Sequence, residues 1–381
     1  MKKRKSNQSA MPANVGRQFW LSTLLSSMLL AGCDGMVSAA HAQVTTPTPT
    51  PTPRASLLPV PNAHGSALTT STKGAIDPAN PFFKPMGNGR SCATCHQEGQ
   101  GWSISPAGVQ ARFAQSNGLD PLFRLVDGAN SPKAAVATID QRKLAYSMLL
   151  TKGLIRVGLP VPAGAEFSLL RADDPYGFAS ATELSLFRRP LPTTNLKFSN
   201  TVMWDGRETA RDATSSICIK NTRPARCFAP VDFDLLHQAN SAVRGHAEAA
   251  ADLSTADKRA IVDFETSLFT AQITSTAAGS LNVLGAKGGP IELSKTPFYF
   301  GINDVQEGDY LTRAPFNRNV MNIYSAWRTL GQPAPPAPGR PRAPAPSATD
   351  LARASIARGE QIFNNKPFNM NNDGGVSDEL S

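Results

Sequence analysis

A mainly α-helical fold, with short helices joined by long loops, is what the sequence predicts, and three observations carry that expectation. Ser254-Thr255-Ala256-Asp257 forms a helix start, with Ile261, Phe264 and Leu268 following on one stripe, and a second helix is expected over Gly108 to Gln115. Leu159-Pro160-Val161-Pro162 and Arg188 to Thr194 are loops punctuated by proline. No run of alternating apolar residues recurs often enough to suggest a sheet.

At the amino end, Lys2, Lys3, Arg4, Lys5 and Arg17 form a basic leader, and Phe19 to Leu30 is an apolar stretch too short to span a bilayer as a mature helix. Residues 1–32 therefore read as a signal peptide. Two cleavage points are open. Cleavage ahead of Cys33, in the lipobox-like Leu30-Ala31-Gly32-Cys33, would leave Cys33 lipidated and the chain tethered to a membrane in the periplasm; the other site follows Ala42. The first is favoured because it abuts the apolar core. Residues 33–74, which alternate Thr and Pro from Thr45 to Arg54, read as a semi-rigid tether.

The net charge of +9 does not argue for nucleic acid. Five basic and no acidic residues lie in the first thirty-two, so the remainder carries only +4.

Cys92-Ala93-Thr94-Cys95-His96 carries the chemistry. A C-x-x-C pair can be a disulfide, a redox dithiol or half a zinc site. A redox dithiol wants a strand-to-helix setting, however, and a zinc site wants a second ligand pair. With a histidine directly following, the pattern is that of covalent haem c attachment: Cys92 and Cys95 bonded to the vinyl groups and His96 as the proximal iron ligand. Gly87, Gly89, Gly99 and Gly101 on either side suit close approach of backbone to a flat cofactor. Cys218 and Cys227 remain, in a polar loop; an oxidising compartment favours a disulfide between them, with two free thiols as the alternative.

Residues 75–330 are long enough for one large globular domain, Pro333 to Pro346 marks a second linker within 331–347, and 348–381 follows it.

Asn88 to His96, then Trp204-Asp205-Gly206-Arg207, then Gln238-Ala239 followed by Glu248 resemble, in order, three blocks of the bacterial di-haem cytochrome c peroxidases, a family that includes MauG-like enzymes. The resemblance implies a cytochrome c-like haem domain over 75–330 and, from Arg358-Gly359-Glu360-Gln361-Ile362-Phe363, the truncated start of a second cytochrome c-like domain in 348–381. It implies that His96 holds the peroxidatic haem and that Trp204 carries electrons between haems. Gln238 would orient bound peroxide, and Glu248 would be the acid–base carboxylate. An amide can both donate and accept without titrating, and peroxide cleavage needs a group that takes up and returns a proton.

Three departures stand out. The loop Arg188 to Asn195 lacks the family's distal histidine, which leaves the iron open or closed by Met203 or Met86; His246 is a further candidate for that position. The stretch between Arg207 and Gln238 is longer than the family pattern. No second C-x-x-C-H exists, so one haem c is expected in this chain. The function implied is reduction of hydrogen peroxide with electrons from a small donor protein of the cytochrome or cupredoxin type. Electron transfer without peroxidase turnover and MauG-like oxidation of a protein substrate are the alternatives.

Overall fold

The computed structural model describes residues 59–215, 217–219, 225–302, 304–332 and 344–366, all within one compact unit, Thr50–Ser381. The leader, Cys33, the Thr/Pro run and most of the 331–347 linker lie outside the described residues.

In chain order the elements are β1 (Val60–Asn62), β2 (Gly65–Ser71), α1 (Pro106–Ser116), α2 (Ile139–Ala145), α3 (Ser147–Lys152), β3 (Ile155–Leu159), β4 (Leu184–Arg188), β5 (Cys218–Ile219) and β6 (Arg226–Cys227). There follow α4 (Val231–Gly245), α5 (Thr255–Ser267), β7 (Leu268–Ser275), β8 (Gly279–Ser280), α6 (Pro290–Lys295) and α7 (Ala348–Asn365).

The mainly α, cytochrome c-like expectation is overturned. Among the described residues 31% are helical and 15% lie in strands, and an antiparallel sheet of order β1-β2-β7-β8 stands beside the hairpins β3-β4 and β5-β6. The sheet escapes an apolar-alternation reading because hydroxyl side chains hold its central pair. Thr69 meets Thr270 at 2.7 Å, Ser66 meets Thr274 at 3.0 Å, and Ser71 meets Ser267 at 2.9 Å at the strand's end. Threonine favours extended backbone because it is β-branched, and cross-strand hydroxyl pairs satisfy one another. β1 and β2 lie inside the 33–74 span read as tether, so the folded body begins earlier than expected.

Helix signals fared better. Ser254 caps α5 by accepting from Asp257 N, and Ile261 and Phe264 are buried on its inner face; Leu268, also buried, opens β7 instead of continuing the helix. α1 begins at Pro106 behind the cap Ser105 and buries Val109 and Phe113.

α7, expected to open a separate domain, packs onto the body. Ala354 and Ala357 are buried, Ala357 in the cluster around Trp327; Arg353 Nε donates to Ala278 O at 3.0 Å, and Tyr324 N donates to Glu360 Oε1 at 2.9 Å.

Two apolar clusters position the Cys92 region. One gathers Val109, Phe113, Leu122, Phe123 and Leu149, with Cys95 against it; the other gathers Phe82, Trp102, Ile261, Phe264 and Leu268, with Cys92 against it. The pentapeptide bridges two halves of the core.

Candidate cofactor site around Cys92, Cys95 and His96

Cys92–Thr94 forms a single tight turn in which Ser91 N donates to Thr94 Oγ1 at 2.9 Å and His96 N donates to Cys92 O at 3.0 Å. Both cysteines are unbonded and, with His96, line a cavity of about 560 Å³, within the range of small-molecule sites. His96 Nδ1 lies 3.0 Å from the carbonyl of Trp102, which fixes the tautomer with Nδ1–H donating and leaves the Nε2 lone pair; the Leu191 carbonyl also faces the ring. Burial pushes the imidazole down to about 4, so it is neutral, the form that ligates metals. Burial likewise pushes the Cys95 thiol up to about 11 and raises Cys92, with the nearby Glu265 adding to the Cys92 shift.

Trp102 is the support of this wall. It is fully buried with a left-handed φ of 59°, a conformation that costs an aromatic residue about 1–3 kcal/mol. Its indole donates to Thr69 Oγ1 at 3.0 Å and its ring meets Phe82 and Phe264 edge-on, so β2 and α5 hold the residue in place. The same carbonyl that holds His96 also accepts from Thr193 N at 3.2 Å, which fixes the Arg188–Thr194 loop along the cavity.

α4 forms another part of the lining through Gln238, Ala239, Ala242 and Val243, and its cap His246 joins them. The two alanines leave room for a flat group. Gly87, at φ +45°, lets the segment ahead of the motif touch the end of this helix: a Cβ there would stand 1.9 Å from Ala247 O, and Asn88 N donates to that oxygen at 2.7 Å.

The expected site residues separate. Gln238 lies on the cavity and is half-buried; Trp204 reaches its rim but is 68% exposed, not buried between cofactors. Met86 and Met203 both line the space. Glu248, expected beside Gln238, does not. The helix ends at Gly245, and Glu248 follows in left-handed backbone (φ 52°), exposed, with Oε2 accepting from Asn88 Nδ2 at 2.7 Å. Cys218 and Cys227 are joined as a disulfide between β5 and β6 and are not among the lining residues.

Two groups that the sequence did not single out do line the cavity. Glu265, on α5, is 5% exposed with no hydrogen bond to its carboxyl among the described residues, and burial pushes it up to about 8. Asp127, 3% exposed, accepts from His246 Nδ1 at 2.6 Å and pairs with the buried Arg90, which also donates to the carbonyls of Pro121, Leu122 and His246. Burial alone would raise Asp127, but the His246 hydrogen bond and the Arg90 charge outweigh it and hold the carboxyl below its usual range. These partners come from distant segments, which no local motif joins. Gly245 is the last helical residue and His246 the cap, both without left-handed backbone, so no glycine stop of the usual kind announces in the sequence that Glu248 leaves the helix.

The donor set fits a covalently held haem: two unpaired thiols and a neutral imidazole on one wall of a largely apolar space. Among the described residues no three His, Cys, Asp or Glu side chains gather as a bare metal ion would need, and no helix is long and apolar enough to cross a membrane. Compared with known proteins, the chain matches no protein-family model, no curated protein and no solved structure.

Proposed function

We propose that the chain is a haem c protein, related by resemblance to the di-haem peroxidases, that reduces hydrogen peroxide with electrons from a small cytochrome or cupredoxin-type donor. The observation that carries this reading is the placement of Cys92, Cys95 and His96 on one cavity wall, with His96 Nδ1 already engaged by the Trp102 carbonyl. Iron-ligating histidines characteristically have the second ring nitrogen tied in this way. When bound, the haem supplies the redox chemistry: peroxide, two protons and two electrons become two waters.

The chain's own residues do the rest. His96 offers a fixed lone pair. The Gln238 amide, on the cavity, can hold a small oxygen-containing ligand by donating and accepting at once. Arg188 and Arg207, both paired with Asp205 at 3.1 and 2.9 Å, line the same space and suit the carboxylates of a porphyrin. Trp204, which is exposed and lines the cavity, would be the electron entry point. Export and lipidation at Cys33 complete the reading.

The test is expression in a host that matures c-type cytochromes. Covalent mass gain, a Soret band and peroxide consumption driven by a reduced donor support it, and protein without porphyrin refutes it. Loss of fatty-acid labelling in Cys33→Ala tests the anchor. The electron-carrier reading draws support from the position of Glu248 away from the cavity. A low-spin ferric spectrum indifferent to cyanide would favour that reading, and a cyanide-responsive high-spin one would favour the enzyme.

A further inference from the structure

The cavity contains an imidazole that is built in from behind. Asp127 is buried, its Oδ1 is paired with Arg90 and its Oδ2 with His246 Nδ1, and Arg90 is itself 2% exposed with three backbone carbonyls as further acceptors. A buried ion pair is costly to form and gives little net stability, so its aim at a ring on the cavity surface is informative. The carboxylate accepts the Nδ1–H of His246, which fixes the orientation of the ring and leaves Nε2 as the nitrogen available to a ligand. The ring is 41% exposed, lines the cavity, and has no partner at Nε2 among the described residues. Its backbone is fixed as well, by N–H donation to Ala242 O at 2.8 Å and acceptance from Arg90. Glu248, two residues on, has none of these properties.

We infer that His246, oriented by Asp127 and Arg90, is the group that takes the proton from a small acidic ligand entering the cavity, in the place the sequence pattern gives to Glu248. This rests on the haem c reading for the ligand's destination. For hydrogen cyanide the step is simple: the H–C bond breaks, an N–H bond forms at Nε2, and cyanide keeps the electron pair. Hydrogen peroxide would give up an O–H proton to the same nitrogen. Asp127 accepts from this ring, Arg90 pairs with that carboxylate and donates to the His246 carbonyl, and His96, Glu265, Arg188, Arg189 and Arg207 are the other titratable or charged groups that line the same cavity.

The experiment uses the full chain matured with haem, and reads the association rate of cyanide with the ferric protein by stopped flow. The wild-type protein is first checked for covalent haem by mass. His246→Ala is expected to slow association about a hundredfold, the usual worth of a positioned acid–base group, and added imidazole is expected to restore part of the rate; Glu248→Gln is expected to leave it unchanged. His246→Gln, which keeps bulk and polarity but cannot take the proton, is expected to be as slow as His246→Ala and guards against a folding artefact. Unchanged association in both His246 variants overturns the inference, as does a loss confined to Glu248→Gln. A low-spin wild-type spectrum that turns high-spin in His246→Ala also overturns it, by making His246 an iron ligand. Wild-type protein without covalent haem overturns the haem reading as well, which separates the two failures.

Discussion

Asp127 holds His246 at 2.6 Å through one carboxylate oxygen and Arg90 through the other, joining the segment that precedes the Cys92 turn to the end of α4. Both charged partners of the ion pair are nearly solvent-free, at 2% and 3% exposure.

Removing one member strands the other. Arg90→Met is expected to lower stability by about 3–5 kcal/mol, as for a buried pair broken on one side. Urea unfolding of the two proteins measures it; a loss below about 1 kcal/mol, the range of an exposed pair, would show that Asp127 finds water in the folded state.

Glu265 sets a pH dependence. Its carboxyl is raised from 4.5 to about 8 in the folded chain, so the folded state binds the proton more tightly than the unfolded one. Its contribution is complete below about 4.5 and is lost as pH rises through about 8. Haem-free protein is therefore expected to lose stability across that window, and Glu265→Gln to flatten the profile. Urea midpoints at both ends of the range decide it.

Glu248 was legible as a motif position and misleading as a location. The ten-residue spacing from Gln238 is real, but whether both side chains share one space depends on where the helix stops, and Gly245 ends it. If the chain consumes peroxide as proposed, Glu248→Gln is expected to stay near wild type, against the hundredfold or greater loss that an acid–base residue would show.

On the proposed haem c reading, His96→Ala is expected to retain porphyrin through thioethers at Cys92 and Cys95 while losing the native axial-ligand spectrum. Mass and absorption together test it. An unaltered spectrum would place the proximal donor elsewhere.

Trp204 is 68% exposed, so Trp204→Ala is expected to change stability by no more than about 0.5 kcal/mol. If the residue passes electrons, the same variant reoxidises a reduced donor more slowly at unchanged peroxide affinity.

What the sequence makes readable follows range. α5 was foreseeable from a serine cap and three apolar residues within fifteen positions, and the Cys92 turn from five adjacent side chains, since short-range signals carry their own geometry. The sheet was not, because Thr69 and Thr270 are 201 residues apart and pair through hydroxyls, which leave no apolar alternation to read. Asp127 and His246 meet across 119 residues for the same reason. The packing of α7 against Trp327 was hidden by a proline-rich stretch that resembles a domain boundary.

Synthesis order gives the Thr69–Thr270 zipper a temporal meaning. A growing chain presents both thiols of the Cys92 turn long before Leu268–Ser275 exists to pair with Gly65–Ser71. Until that late strand arrives, Thr69 has no partner from β7, and Trp102 lacks both the completed sheet and α5 behind it. Any covalent chemistry at Cys92 and Cys95 thus has an early opening, which the final closure of the sheet brings to an end.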